Sequence, residues 1–323
     1  MSFRRPLRVL FAFLFVLSIV PAVLMPAQAQ DEEEIDTDAL FGIDLEAGAL
    51  PPVPAFIRLV RITLEPGAVS PEHTHPGPEF GRIESGVVTV QVTGPAKIKQ
   101  RSAEPDDPFE DASQGSAIQL DRGDQIYYPA GTPLTFRNDG EEQARILALV
   151  ILPAAPEGQE GPPLIDYTGN EPGEAAFEGL SSKILGDGIA TTLPTGTSRV
   201  TIQRVKLNEG QSLPGSRNPV LYSVTSGDCE FTITGGSVQI SRTREPGPQN
   251  DSPVDTEVEL RPGDAMFLPQ GVRTTSRGEN SDDLDLIQVI VAPTGSGERL
   301  SEESRGSIRF VQPNTPPELD DED

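Results

Sequence analysis

The sequence predicts an all-β protein built twice over, and three observations carry that reading. First, 31 glycines and 32 prolines punctuate many short Val-, Ile- and Thr-rich runs in 323 residues, while helix-forming stretches are scarce. Second, the chain repeats itself. Arg122-Gly123-Asp124 followed by Pro129-x-Gly131 recurs as Pro262-Gly263-Asp264 followed by Pro269-x-Gly271, and Ser85-Gly86 recurs as Ser226-Gly227 at almost the same offset along the chain. Third, each copy carries the same alternation. Val88, Val90 and Val92 in the first copy and Cys229, Phe231 and Ile233 in the second put an apolar residue at every other position, the period of a half-buried strand. Each copy then closes on a continuous apolar run, Ile146 to Leu152 before Pro153 and Leu286 to Ala292 before Pro293.

The segments follow from these landmarks. Residues 1–29 read as a secretory signal: Arg4, Arg5 and Arg8 give a basic start, Val9 to Met25 are largely apolar, and Ala27-Gln28-Ala29 is an A-x-A cleavage signature. An uncleaved membrane anchor fits less well, because the apolar stretch is short, broken by Pro21 and not followed by basic residues. The expected location is therefore secreted or periplasmic, with no membrane contact after cleavage. Residues 30–42 form an acidic N-terminal segment, 43–153 the first copy, 154–180 a Pro-, Gly- and Glu-rich linker, 181–312 the second copy and 313–323 an acidic tail. Within the copies, the polar stretches Ala103 to Ser116 and Glu245 to Pro253 read as long hairpin connections.

A formal net charge of -25 argues against nucleic acid or an anionic membrane as partner. Cys229 is the only cysteine, so no internal disulfide holds this exported chain together. Its position matches Val88 in the other copy, which makes it a core residue.

Chemistry concentrates in one stretch. Gly67, His73, His75, Glu79 and Gly86 read as Gly, five residues, His-x-His, three residues, Glu, six residues, Gly. Alternate residues of a strand share a face, so His73 and His75 point the same way, and the continuing sheet can return Glu79 to them. Two imidazoles and a carboxylate are a donor set for Fe, Mn, Ni, Cu or Zn. Both histidines of the chain are committed here, which leaves no Ser/His/Asp arrangement, and no Gly-rich phosphate loop precedes a helix.

This spacing resembles the first motif of the cupin superfamily, and Gly123 to Pro129-x-Gly131 with Asn138 resembles its second. The resemblance extends over both copies, essentially Ile43 to Val311, and implies two tandem cupin barrels of the double-stranded β-helix or jelly-roll type. It implies metal ligands at His73, His75 and Glu79. The family's fourth ligand, a histidine, would fall at position 134, where this chain has Leu134. In the second copy, aligned from Gly210, the histidine positions hold Ser216 and Asn218, the carboxylate falls at Val220 or Tyr222, and Thr274 replaces the last histidine. No first-row metal site is expected there. Tyr127, Tyr128 and Arg137 flank the second motif and read either as lining the mouth of the first barrel or as packing and solvated surface.

Two functions stay open at this point. One is a metal-dependent oxidoreductase, dioxygenase- or decarboxylase-like, acting on a small organic molecule. The other is a non-catalytic exported protein that binds a small-molecule ligand, with homo-oligomer formation also open.

Overall fold

The computed structural model describes residues 35–104, 107–154, 163–208, 217–243, 245–252, 255–278 and 284–295. The signal segment, the acidic tail and Ser216 lie outside the described residues. The first half of the chain forms β1 (Asp36–Leu45), β2 (Ala55–Leu64), β3 (His73–Thr74), β4 (Glu79–Ser85), β5 (Val87–Val92), β6 (Lys97–Lys99), β7 (Glu110–Asp111), β8 (Ala117–Asp121), β9 (Gln125–Tyr128), β10 (Leu134–Arg137) and β11 (Ala144–Pro153). A connecting stretch follows with β12 (Asp166–Tyr167) and a 3-10 turn, Glu174–Phe177. The second half forms β13 (Leu180–Ala190), β14 (Ser198–Leu207), β15 (Val220–Ser226), β16 (Cys229–Gly235), β17 (Val238–Arg242), β18 (Glu245–Ser252), β19 (Glu257–Leu260), β20 (Ala265–Leu268), β21 (Arg273–Gly278) and β22 (Leu284–Pro293). The stretch expected to be a loop at Glu245 to Pro253 is thus largely strand, pairing irregularly with β17.

Each half builds a pair of facing sheets, and the strands common to both halves run in the same order. The first barrel has β13-β2-β11-β4-β9-β6-β7 opposite β12-β3-β10-β5-β8; the second has β1-β14-β22-β15-β20-β17-β18 opposite β19-β16-β21. Both lie within one compact unit, Glu34–Asp323.

The strand orders contain an exchange that the segment boundaries at residues 43 and 181 do not anticipate. β1 pairs along its length with β14, from Asp36 opposite Lys206 to Leu45 opposite Ser198, and so sits in the sheet of the second barrel. β13 pairs with β2, from Leu180 opposite Leu64 to Ala190 opposite Ala55, and so extends the sheet of the first. Each barrel takes its outer strand from the other half of the sequence.

Three apolar cores result. Leu64, Val90, Ile126, Leu134 and Ile146 fill the first barrel. Val205, Tyr222, Phe231, Met266 and Leu286 fill the second. Between the barrels, the outer faces of the two long sheets pack together through Ile57, Leu59, Leu149, Val200, Phe267 and Val289. This middle layer explains the continuous apolar runs. In β11, Ile146 and Ala148 face the barrel while Leu147, Leu149 and Ile151 face the neighbouring barrel, so neither side of the strand meets water.

The repeated landmarks turn out to be structural. Asp124 accepts backbone N–H bonds from Arg101 and Asp121 at 2.9 and 2.8 Å, and Asp264 accepts from Thr243 and Arg261, both at 3.2 Å, so each aspartate closes the turn it follows. Buried Asn138 donates to the carbonyls of Leu64 and Glu142 and accepts from the Gly140 N–H. Gly86 adopts φ +71°, and a Cβ there would lie 2.8 Å from the Cα of Ala144. Cys229 is buried in the second core, and burial raises its thiol pKa to about 12, the behaviour of a packed, unreactive cysteine. No helix among the described residues is long and apolar enough to cross a membrane.

Candidate metal and ligand site in the first barrel

His73 lies on β3, Glu79 opens β4, and His75 stands in the turn between them. Gly77 makes that turn possible, because a Cβ there would stand 2.0 Å from the Ile151 carbonyl oxygen. Only glycine lets this backbone approach β11 so closely. The structure brings His75 to Glu79, with Nε2 3.4 Å from Oε2, and sets the two imidazoles edge to face with centroids 5.2 Å apart.

The hydrogen bonds determine which ring nitrogens are available. His73 Nδ1 lies 2.8 Å from the Pro71 carbonyl oxygen, and His75 Nδ1 lies 2.6 Å from that of Leu164. A carbonyl only accepts, so both Nδ1 atoms carry the proton and both Nε2 atoms of the neutral rings present a lone pair. Glu79 is buried, and its Oε2 has no hydrogen-bond partner. His75 Nε2 and Glu79 Oε2 therefore face each other as two acceptors across 3.4 Å in a sheltered site. Such a pair is unfavourable unless a proton or a metal ion lies between them.

The donor set fits a first-row ion in part. A separation of 3.4 Å suits neighbouring ligands on one ion, each about 2.0–2.2 Å from it. Both histidines also have the outer hydrogen bond that orients a metal-binding imidazole. Still, among the described residues no group of three or more His, Cys, Asp or Glu side chains is gathered tightly enough to hold an ion. His73 stands beside the His75–Glu79 pair without closing on it. Leu134 pairs with His73 across the strands and is buried in the barrel core, so the fourth position offers no donor.

Burial lowers the pKa of His73 below the ordinary 6.5, outweighing the opposing effects of the Pro71 hydrogen bond and the Glu79 charge. In the metal-free protein the stability gained by burying the neutral ring is full above about pH 6.5 and is lost as pH falls from there toward the lowered folded value. The melting temperature of the natural protein should therefore fall relative to that of His73→Phe between about pH 7.5 and about pH 5.5. An unchanged difference would contradict the assignment of His73 as a buried neutral ring.

A cavity of about 330 Å³ opens onto these residues, with Val60, Ile62, Phe136, Ala148 and Val150 in its wall. Sequence reasoning missed its outer side. Leu164, Ile165, Tyr167 and Phe177, all within the supposed linker, line the cavity, and β12 pairs with β3 so that Tyr167 lies opposite His73. Residues 164–177 of the linker form a strap across the site. Four apolar or aromatic residues in an otherwise polar stretch were the available signal. Tyr127 and Tyr128 are packed in the cores, while Arg137 is exposed and paired with Asp139 at 2.8 Å; none of them lines the cavity.

The second barrel has filled the corresponding space. Val220 lies opposite Leu268 and Ile290 as Glu79 lies opposite Tyr128 and Val150, which makes Val220 the counterpart of the carboxylate. By the same register, Gln203, Tyr222 and Gln288 occupy the places of Val60, Gly81 and Ala148. Gln203 donates to Gln288, and Gln288 donates to the Tyr222 hydroxyl at 3.0 Å, a satisfied buried network where the first barrel has its cavity.

Residues 60–102 match the cupin domain family. No curated protein matches the chain. Among solved structures, the chain is similar to AerE from Microcystis aeruginosa, with 14% identity over 80% of this chain and 98% of that one and a TM-score of 0.40. It is also similar to vicilin from Solanum melongena, with 13% identity, coverage of 74% and 75% and a TM-score of 0.42. Oxalate decarboxylase from Bacillus subtilis gives 13% identity, coverage of 79% and 75% and a TM-score of 0.41. The family match runs from within β2 to beyond β6 and contains the His-x-His and Glu spacing, so the first half of the chain carries a cupin domain, within a fold of two barrels whose shared strands run in the same order.

Proposed function

We propose that the first barrel binds a divalent transition metal, one of Fe, Mn, Ni, Cu or Zn, through His73, His75 and Glu79, and that a small organic molecule reaches it through the cavity. The observation that carries this is the facing pair of buried acceptors, His75 Nε2 and Glu79 Oε2, with the neighbouring His73 fixed in the same tautomer. A bound ion would supply Lewis acidity, and redox chemistry if it is iron, manganese or copper, in line with an oxidoreductase of dioxygenase- or decarboxylase-like type. The chain's own contribution is positional. The Pro71 and Leu164 carbonyls hold the rings, Glu79 supplies the negative charge, and the strap shields the site from water. Residues 1–29 support export of the chain.

A second reading, a non-catalytic binding protein, is favoured by Leu134 at the fourth position and by the three donors not yet closing on one point. Stripping the full chain with a chelator, reconstituting it with each of the five metals and measuring bound metal separates the two. About one ion per chain is expected for at least one metal, with affinity lost in acid, below about pH 6.5, since only neutral imidazole ligates. Less than about a tenth of an ion per chain for all five would overturn the metal site and leave the binding protein.

A further inference from the structure

We infer that Arg58 sets the specificity of the first-barrel cavity: its guanidinium holds a carbonyl-type oxygen of a one-ring, otherwise apolar molecule. This names the ligand class for the cavity proposed above and rests on the cavity being a binding site; it does not require the ion.

Strand register places this residue. Across β4, β11, β2 and β13, Glu79, Val150, Arg58 and Asp187 lie in one row. The matching row of the second barrel is Val220, Ile290, Thr201 and Gly42, which carries no charge. Charged residues in this row accompany the cavity of the first barrel, whereas the second has an uncharged row and fills the space with Gln203, Tyr222 and Gln288.

The guanidinium is held in place yet mostly unused. Nη2 donates to Asp187 Oδ2 at 2.8 Å, and the group stacks 4.6 Å over the Phe56 ring. Asp187 is wholly buried and accepts from Ser241 Oγ at 2.6 Å, so the counter-ion is itself pinned. Among the described residues that is the one hydrogen bond made by a group with five N–H donors: Nε is buried without a partner, and Nη1, also without one, remains accessible. Arg58 stands in the cavity wall with its side chain 20% exposed. A fixed donor in a mainly apolar wall orients a ligand by the acceptor it takes. Because Asp187 already balances the charge, the donor serves a ketone or amide oxygen as well as a carboxylate. From Arg58 the wall runs over Val150, Ala148 and Val60, and Glu79 lies two strand spacings away, about 10 Å. That span takes one six-membered ring and its head. The ring also accounts for the mouth, where Leu164, Ile165, Phe177 and Ile184 are each 36–39% exposed until an apolar body covers them.

Calorimetric titration of the chelator-treated full chain with 4-methylacetophenone, 4-methylbenzoate and 4-isopropyltoluene tests this, because the three share one body and the last lacks the oxygen. One or both of the oxygen-bearing compounds should bind, and which of them does gives the charge of the head. The double substitution Arg58→Met with Asp187→Asn removes the donor without leaving a buried aspartate unpaired. It should weaken that binding at least about tenfold, a loss of about 1.4 kcal/mol, and change binding of the hydrocarbon by less than about threefold. Should the double variant melt early, the guanidinium N–H resonances of Arg58 in the natural protein should still shift on adding the bound ketone or acid and stay in place on adding the hydrocarbon. Failure of both oxygen-bearing compounds to bind, an equal loss for the hydrocarbon, or unmoved Arg58 resonances would overturn the inference. Metal content measured on the same preparations keeps the two proposals apart: metal uptake without binding of either oxygen-bearing compound defeats this one alone, and such binding without metal uptake defeats only the metal site.

Discussion

Replacing His75 with alanine is expected to reduce bound metal from about one ion per chain to less than about a tenth, with affinity falling by more than about 100-fold. Loss of an outer hydrogen bond alone costs about 10–100-fold, and here a ligand itself is removed. His75 is the sharpest choice because its Nε2 sits at ligand spacing from Glu79, 3.4 Å. His73→Ala should have the same direction of effect. Glu79→Gln separates charge from shape: it keeps the size of the side chain but removes the negative charge that attracts a cation. Elemental analysis of the three variants after identical reconstitution reads the result. Full metal content in His75→Ala would place the ion elsewhere in this acidic chain.

The largest stability effect is expected at the layer between the barrels. Phe267 is fully buried there, and Phe267→Ala should cost about 3–5 kcal/mol, the usual range for emptying an aromatic site in a core. The same contact can be overfilled from the opposite side. A Cβ on Gly188 would come within 2.3 Å of the Phe267 ring, so Gly188→Ala should cost about 1–3 kcal/mol. Denaturant unfolding of both variants checks this. A Gly188→Ala protein as stable as the natural one would mean that the two sheets are not packed as closely as described.

Much of the fold was legible because repetition and burial leave marks on a single sequence. The near-constant offset between the two sets of landmarks locates both barrels, and the unbroken apolar runs belong to strands covered on both faces. The strand exchange left no such mark. Asp36–Leu45 shows which residues want burial, but its partner, Ser198–Leu207, is chosen by packing against the other half of the chain. In the site, the neighbourhood of His73, His75 and Glu79 was legible from their spacing, although His75 stands in the turn after β3 and not on the strand that the alternation implied. The strap was not, because its Pro, Gly and Glu content is that of a linker, and only tertiary contact shows that Leu164 offers its carbonyl to His75. The carboxylate counterpart in the second barrel was ambiguous for the same kind of reason. A two-residue deletion left Val220 and Tyr222 equally placed in sequence, and cross-strand register decides for Val220.

The exchange of outer strands also sets an order of assembly. β1 leaves the ribosome before the strands of the first barrel, yet its partner β14 is not made until the whole of that barrel's own sequence has followed it. Until then an apolar strand, with Phe41, Ile43 and Leu45 destined for burial, has nowhere to pair. The first barrel likewise remains open along β2 until β13 arrives. Neither half can be finished before the other has begun, so the chain must be protected while it is made or folded slowly as a whole.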